Sequence, residues 1–216
     1  MNKNLTIFDL DHTLANCNVS FAFGKYLFQK GYFSYAKSLP LLAAYALQKA
    51  HVLSVHALHA VSFYALFSGA KVQVIEDFAS DFIERHLDRL LRRELLIELE
   101  CAKERGDEIW ILSSSPDFLV EKISLKVNAE KTFATRYRVN ADGVFSGIAE
   151  IVDGTAKWHY LEQFIDTSGL SLNQVTSYSD SILDLPLLEK VGVAIAVYPD
   201  NKLKKIARKN SWKIIS

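Results

Sequence analysis

The chain has 216 residues, with 25 Lys and Arg against 25 Asp and Glu and no formal net charge at pH 7. That balance excludes a nucleic-acid binder that relies on a basic face. Hydrophobic residues make up 50% of the chain, and Cys17 and Cys101 are its only cysteines. One core domain with a smaller insert is expected, with no disulfide framework and a reducing cytoplasmic setting.

The first predicted element is the apolar run Leu5 to Leu10, which carries Asp9 to its end, with Asp11 two residues on. Residues two apart in an extended segment point the same way. Buried parallel strands read as near-continuous apolar runs and place ligand sites at their carboxyl ends. Two acids held side by side there repel, and a cation or a shifted pKa relieves the repulsion. This run is the only early apolar segment, so cleavage behind it would remove Asp9, and no secretory signal is expected.

From about Asn16 to Leu91 a long, mostly helical stretch interrupts the strand–helix alternation. Ala50 to Ala70 contains no Asp, Glu, Lys or Arg. Three readings stand open: a membrane span, a buried bundle helix, or a surface that faces lipid or binds a lipid substrate. The span is opposed by His51, Ser54, His56, His59, Ser62 and Ser68, since polar groups in a bilayer are costly. His56 and His59 share a helix face and read as surface or core histidines rather than metal ligands. Glu76 to Glu104 is amphipathic, with a break expected near His86-Leu87-Asp88.

Alternation resumes at Asp107, with strands expected near 108–113, 131–138, 174–178 and 191–197. Val139 to Val144 contains Asp142-Gly143, a strong hairpin signal. The strand ending in Ile111-Leu112 leads into Ser113-Ser114-Ser115-Pro116, where Ser115 reads as an N-cap and Pro116 as the first helical residue. A helix start of this kind suits an anion such as phosphate. Lys157 lies near the start of the helical segment Trp158 to Ile165. The strand Gln174 to Tyr178 feeds Asp180, and Asp184 follows four residues later, an acid pair suited to a hard cation. Asn201 to Lys213 holds six Lys and Arg residues, a solvated helix face or a face drawn to an anionic membrane.

Asp9 with Asp11, then Ser113, Lys157, and Asp180 with Asp184 resemble, in order and spacing, the four motifs of the haloacid dehalogenase superfamily of phosphatases. Tyr178 to Leu188 and the tail from Ala194 to Ile214 are similar to its phosphoserine-phosphatase-like branch. The resemblance implies an α/β fold: a three-layer, Rossmann-like parallel-sheet core (1–15 and 92–216) with an inserted all-helical cap (16–91). It implies Asp9 as nucleophile, Asp11 as general acid–base, Ser113 and Ser114 at the phosphoryl group, and Lys157 as counter-charge. Mg²⁺ is expected at Asp9, Asp11 (through its carbonyl), Asp180 and Asp184.

The expected substrate is a small phosphorylated molecule, with an apolar or lipid phosphate such as phosphatidylglycerophosphate favoured. Peripheral contact with the inner membrane surface goes with that reading. A phosphoserine phosphatase and a phosphate-binding protein without turnover are the alternatives. Two departures from the phosphoserine-phosphatase pattern stand out. The segment around Asn18 lacks the Glu that meets a substrate ammonium, and Leu183 replaces the Asn that precedes the last aspartate. His12 stands where many relatives carry Gly or Ser.

Overall fold

The computed structural model describes residues 4–33, 41, 43, 44, 46, 47 and 52–216. Ser38, Leu39, Pro40, Leu42, Tyr45 and His51 lie outside them. Seven strands form one sheet: β1 (Leu5–Asp9), β2 (Glu108–Pro116), β3 (Lys131–Val139), β4 (Phe145–Glu150), β5 (Val175–Ser179), β6 (Val193–Val197) and β7 (Lys213–Ile215). Their order is β4-β3-β2-β1-β5-β6-β7. Every pairing is parallel except β3 with β4, the hairpin that Asp142-Gly143 signals. The helices are α1 (Val19–Gln29), α2 (Val55–Ser62), α3 (Val72–Leu90), α4 (Arg93–Glu104), α5 (Asp117–Lys126), α6 (Gly154–Ser168), α7 (Leu185–Leu188) and α8 (Asn201–Lys209).

Strand alternation divides the core between two faces. Leu5 and Ile7 of β1 and Trp110 and Leu112 of β2 pack against Leu161 of α6 and Leu187 of α7. Phe8, Ile109 and Ile111 point the other way, into a cluster with Leu95 and Leu99 of α4 and Leu119 and Ile123 of α5. Phe8 stacks on Tyr178 of β5 at a centroid distance of 4.5 Å. Leu203 and Ala207 of α8 cover Ala194 and Ala196 of β6. Helices on both faces of a mainly parallel sheet are the three-layer α/β arrangement expected from the sequence.

The chain departs from the end of β1 and returns at one point. Ala15 bridges Leu91, Asn16 N–H donates to Leu90 O at 2.8 Å, and Arg92 N–H donates to Leu14 O at 2.9 Å. The break expected near His86 does not occur: α3 runs unbroken to Leu90. His86 packs on Tyr26 and Phe82, at 5.8 and 5.4 Å between centroids, so the amphipathic period continues through it. Phe63 and Phe67, just beyond α2, are buried against Tyr137 and Phe118. Among the described residues no helix is long and apolar enough to cross a membrane. The basic tail divides: α8 ends at Lys209, and Lys213 sits on β7, where its Nζ reaches Glu98 at 2.6 Å.

Candidate active site

Parallel pairing brings the ends of β1, β2 and β5 to one edge: Asp9 lies beside Leu112, and Phe8 beside Tyr178. A wide turn over Leu10–Leu14 follows β1, closed by Ala15 N–H to Leu10 O at 2.8 Å. Within it His12 has φ +61°, in the left-handed region that favours glycine. The turn returns Asp11 beside Asp9, and both carboxylates are buried.

Lys157 arrives from α6. Asp153 caps that helix, accepting from Thr155 and Ala156 N–H at 3.0 Å each. Gly154 is the next residue, and a Cβ there would sit 1.8 Å from Leu183 O. Only glycine therefore lets the α6 start press against the loop that carries Asp184. With that approach made, Lys157 Nζ lies 2.7 Å from Asp9 Oδ1 and 2.7 Å from Asp184 Oδ2. Ser179 Oγ donates to the same Asp184 oxygen at 2.6 Å. All four side chains are buried. Asp180 is half-buried and accepts from Thr13 Oγ1 at 3.4 Å. Its backbone carbonyl accepts from Asp200 N–H at 2.9 Å.

Four carboxylates surround one ammonium, which touches Asp9 and Asp184, and the proton affinities of Asp9, Asp11 and Asp180 are raised. Burial pushes Asp9 up to about 7, against the pull of Lys157 and with a further push from Asp184 and Asp11. Burial raises Asp180 to about 8, with Asp9 and Asp184 adding to the rise. Burial also raises Asp11, opposed by hydrogen bonds from Ser115 and Val19. Burial works against the charge on Lys157, but Asp184 and Asp9 outweigh it and hold the ammonium above its ordinary pKa.

The donor set fits Mg²⁺. Among the described residues no three His, Cys, Asp or Glu side chains form a closed metal cluster. Mg²⁺ does not need one, since it is bound by one or two carboxylates, waters and substrate phosphate. Asp9 and Asp180 would be the two carboxylates, since Asp184, also expected at the cation, is held by Lys157 and Ser179, and the surplus negative charge around them favours a cation.

The end of β2 departs from expectation. Ser113 pairs with Ala134 and Pro116 with Thr135, so Ser114 and Ser115 bulge out of the ladder. Helix α5 starts at Asp117 after Pro116, with no side-chain cap. Ser115 is therefore no N-cap, and Pro116 precedes the helix. The bulge turns the Ser115 hydroxyl to Asp11 Oδ2, at 2.6 Å, a role the sequence did not reveal. Bulges re-aim side chains beside active sites in this way. Ser113 is fully buried: its Oγ accepts Ser115 N–H at 3.1 Å and lies 3.5 Å from Asp11 Oδ2.

These groups floor a cavity of about 1280 Å³, whose lining includes Asp9, Asp11, Ser114, Ser115, Lys157, Asp180 and Asp184. Ser113 lies behind that lining. The opposite wall includes Phe21, Phe28, Leu58, Leu66 and Phe67, with Lys25, His56 and His59 among them. The sequence offered His56 and His59 as ordinary helix histidines, but α2 turns both to the cavity. Burial pulls the His59 imidazole down to about 4, with His56 adding to the fall.

A phosphoserine phosphatase, SerB1, of Mycobacterium tuberculosis is 29% identical over 96% of this chain and 68% of its own length. A histidinol-phosphatase of Neisseria meningitidis is 28% identical over 99% of both chains. A solved structure of a Bordetella pertussis protein of unknown function superposes with a TM-score of 0.87, at 21% identity, covering 100% of this chain and 99% of the other. The family model for haloacid dehalogenase-like hydrolases matches residues 6–189, from inside β1 past Asp184. With that span and this sheet, the chain belongs to the haloacid dehalogenase-like hydrolase family.

Proposed function

We propose that the chain is a Mg²⁺-dependent phosphomonoester phosphatase, with 1–15 and 92–216 as its catalytic core and 16–91 as a helical cap. Asp9 attacks phosphorus, forming an aspartyl phosphate as the bond to the leaving alcohol breaks. Asp11 gives its proton to that alcohol oxygen, then takes one from the water that hydrolyses the intermediate. Ser114, which lines the cavity, holds a phosphoryl oxygen; Ser113, expected beside it, is buried behind the lining with its Oγ engaged by Ser115 N–H and Asp11, and backs that end of β2. Lys157 offsets the charge of Asp9 and the phosphate, and Asp184 keeps its ammonium in place. Asp9, the Asp11 carbonyl and Asp180 would hold Mg²⁺, which when bound would supply positive charge to the phosphoryl oxygens. Positioning and charge carry most of the acceleration in such chemistry.

One observation carries this reading: the Lys157 ammonium sits 2.7 Å from both Asp9 and Asp184, with Asp11 two residues from Asp9 and held by its own donors. A phosphate-binding protein without turnover does not need a carboxylate placed to attack. Hydrolysis of p-nitrophenyl phosphate with Mg²⁺, lost in EDTA, is the expected result. Full activity in EDTA would overturn the metal requirement, and none under either condition would overturn the enzyme reading.

The substrate we favour has an apolar or bulky leaving group, an acyl-bearing phosphate such as phosphatidylglycerophosphate among them. The wall supports it: aromatic and aliphatic side chains face the carboxylates across the cavity. Beyond the catalytic set, the lining carboxylates are Asp153 and Asp200. Asp153 caps α6, and Asp200 accepts from Ile182, Lys202 and Leu203 N–H. Asp200 is engaged through both oxygens and Asp153 through Oδ1, its Oδ2 lying 3.8 Å from His56 Nδ1, so a substrate ammonium, whose unpaired burial is costly, meets no carboxylate without a protein partner. A kcat/KM for phosphoserine below that for a short-chain lipid phosphate is expected, and a preference for phosphoserine would overturn it.

A further inference from the structure

The hydroxyls around Asp11 do more than fill space. Asp11 Oδ1 accepts Val19 N–H at 2.7 Å, from the first residue of α1. Asp11 Oδ2 accepts Ser115 Oγ–H at 2.6 Å. Ser115 Oγ in turn lies 2.6 Å from Ser20 Oγ, the second residue of α1. With the Ser115 proton given to Asp11, Ser20 is the donor of that second bond. Both oxygens of Asp11 are thus held, directly or through one hydroxyl, by the first turn of a helix that lies outside the sheet. Ser115 is buried, and both serines line the cavity.

We infer that Ser115 and Ser20 are positioning residues for the acid–base step, a hydroxyl pair that fixes the Asp11 carboxylate and makes its alignment depend on the seating of α1. This rests on the phosphatase reading given above. The Asp11 side chain must reach an alcohol oxygen that exists only once phosphorus is under attack. Without the Ser115 hydroxyl, its Oδ2 keeps only the distant Ser113 contact, at 3.5 Å, and the side chain can rotate on its χ angles. The nucleophile, its lysine and the metal carboxylates are untouched by that loss, since no hydrogen bond found in the structure joins them to Ser115. Ser20 acts one bond further away, so its effect is smaller and in the same direction.

The test compares two leaving groups on the metal-loaded enzyme. Nitrophenolate departs without a proton, whereas an alkoxide needs one, so only the alkyl phosphate depends on Asp11 as acid. The quantity is kcat/KM, which covers the steps through formation of the aspartyl phosphate. General acid catalysis is worth about 10²–10⁴-fold, and losing its alignment forfeits part of that. Ser115→Ala is expected to lower kcat/KM about tenfold or more for an alkyl phosphate and less than about threefold for p-nitrophenyl phosphate. Ser20→Ala gives the same pattern with a smaller alkyl loss, and Ser115→Thr, which keeps the hydroxyl, restores most of it.

Equal losses for both substrates, with a lowered melting temperature, would show that Ser115 only supports the fold. Unchanged kinetics in Ser115→Ala and Ser20→Ala would show that Val19 N–H alone suffices. Either outcome overturns the inference and leaves the phosphatase reading intact. A wild-type enzyme inert toward both esters would instead overturn the phosphatase reading.

Discussion

The floor of the cavity and its opposite wall are built on different principles. On the floor, Lys157, Asp9, Asp184 and Ser179 form one set of bonds at 2.6–2.7 Å and Asp11 with Ser115 a separate pair at 2.6 Å, and their donors and acceptors are largely matched. The wall, from α1, α2 and the turn beyond it, presents Phe21, Phe28, Leu58, Leu66 and Phe67. A floor of buried, paired charges tolerates little change, because removing one partner strands another in a medium that cannot solvate it. A wall of apolar side chains accepts substitution of similar volume at small cost. On the function proposed above, the chemistry resides on the first, and the choice of leaving group on the second.

The largest effect belongs to the nucleophile. Asp9→Asn keeps the shape and removes the attacking charge, so turnover should fall by more than the ~10²–10⁴-fold typical of one acid–base group. Lys157→Ala leaves Asp9 and Asp184 facing each other with no cation. A stability loss of about 3–5 kcal/mol is expected for breaking a buried pair, together with a turnover loss of about 10²–10³-fold, as for one lost electrostatic donor. Denaturant unfolding and steady-state kinetics on one preparation measure both. Unchanged values would show that the Lys157 contacts are incidental. Gly154→Ala is next: its Cβ cannot coexist with Leu183 O, so α6 must withdraw and take Lys157 with it. About 1–3 kcal/mol of stability, the usual cost of overpacking, and most of the turnover should go. A variant as active as the parent would mean that the α6 start does not set Lys157.

Metal and pH act on the floor together. In the metal-free protein Asp9 and Asp180 titrate near 7 and 8, far above the ~3.9 of an unfolded aspartate. The folded state therefore binds more protons than the unfolded state between these values. Its stability is greatest at the acid end of that window and falls as pH rises through 7 and 8. Mg²⁺ bound at Asp9 and Asp180, as proposed, would replace those protons. Its increment to the melting temperature should be larger at pH 8 than at pH 6. An increment independent of pH would contradict the placement of the cation at Asp9 and Asp180. The smallest effects concern the wall, where substrate ratios rather than turnover should move.

The same contrast explains what the sequence made legible. Asp9, Asp11, Lys157, Asp180 and Asp184 stood out through their combined order and spacing, which resemble the family's motifs; singly, a strand-end acid or a helix-start lysine is ordinary. The hairpin at Asp142-Gly143 and the two-faced sheet follow from local signals. Ser115 was misread as a cap because Ser-Pro is a strong helix-start signal. Only the bulge against β3 and the long-range bond to Asp11 redirect it. The helix through His86 was lost because its partners, Tyr26 and Phe82, come together by packing. His56 and His59 gave no sign of facing the site, since an apolar helix does not reveal which of its neighbours will be a cavity.

The central claim is that Asp9 carries the phosphoryl group. Acid-quenching the enzyme during turnover, reducing it with borohydride and mapping its peptides tests this directly, since borohydride converts an aspartyl phosphate to homoserine. Homoserine at position 9 in the wild-type protein, absent without substrate and absent from Asp9→Asn, is the predicted result. Steady turnover with no homoserine at position 9, or with homoserine at Asp11 or Asp180 instead, would contradict it.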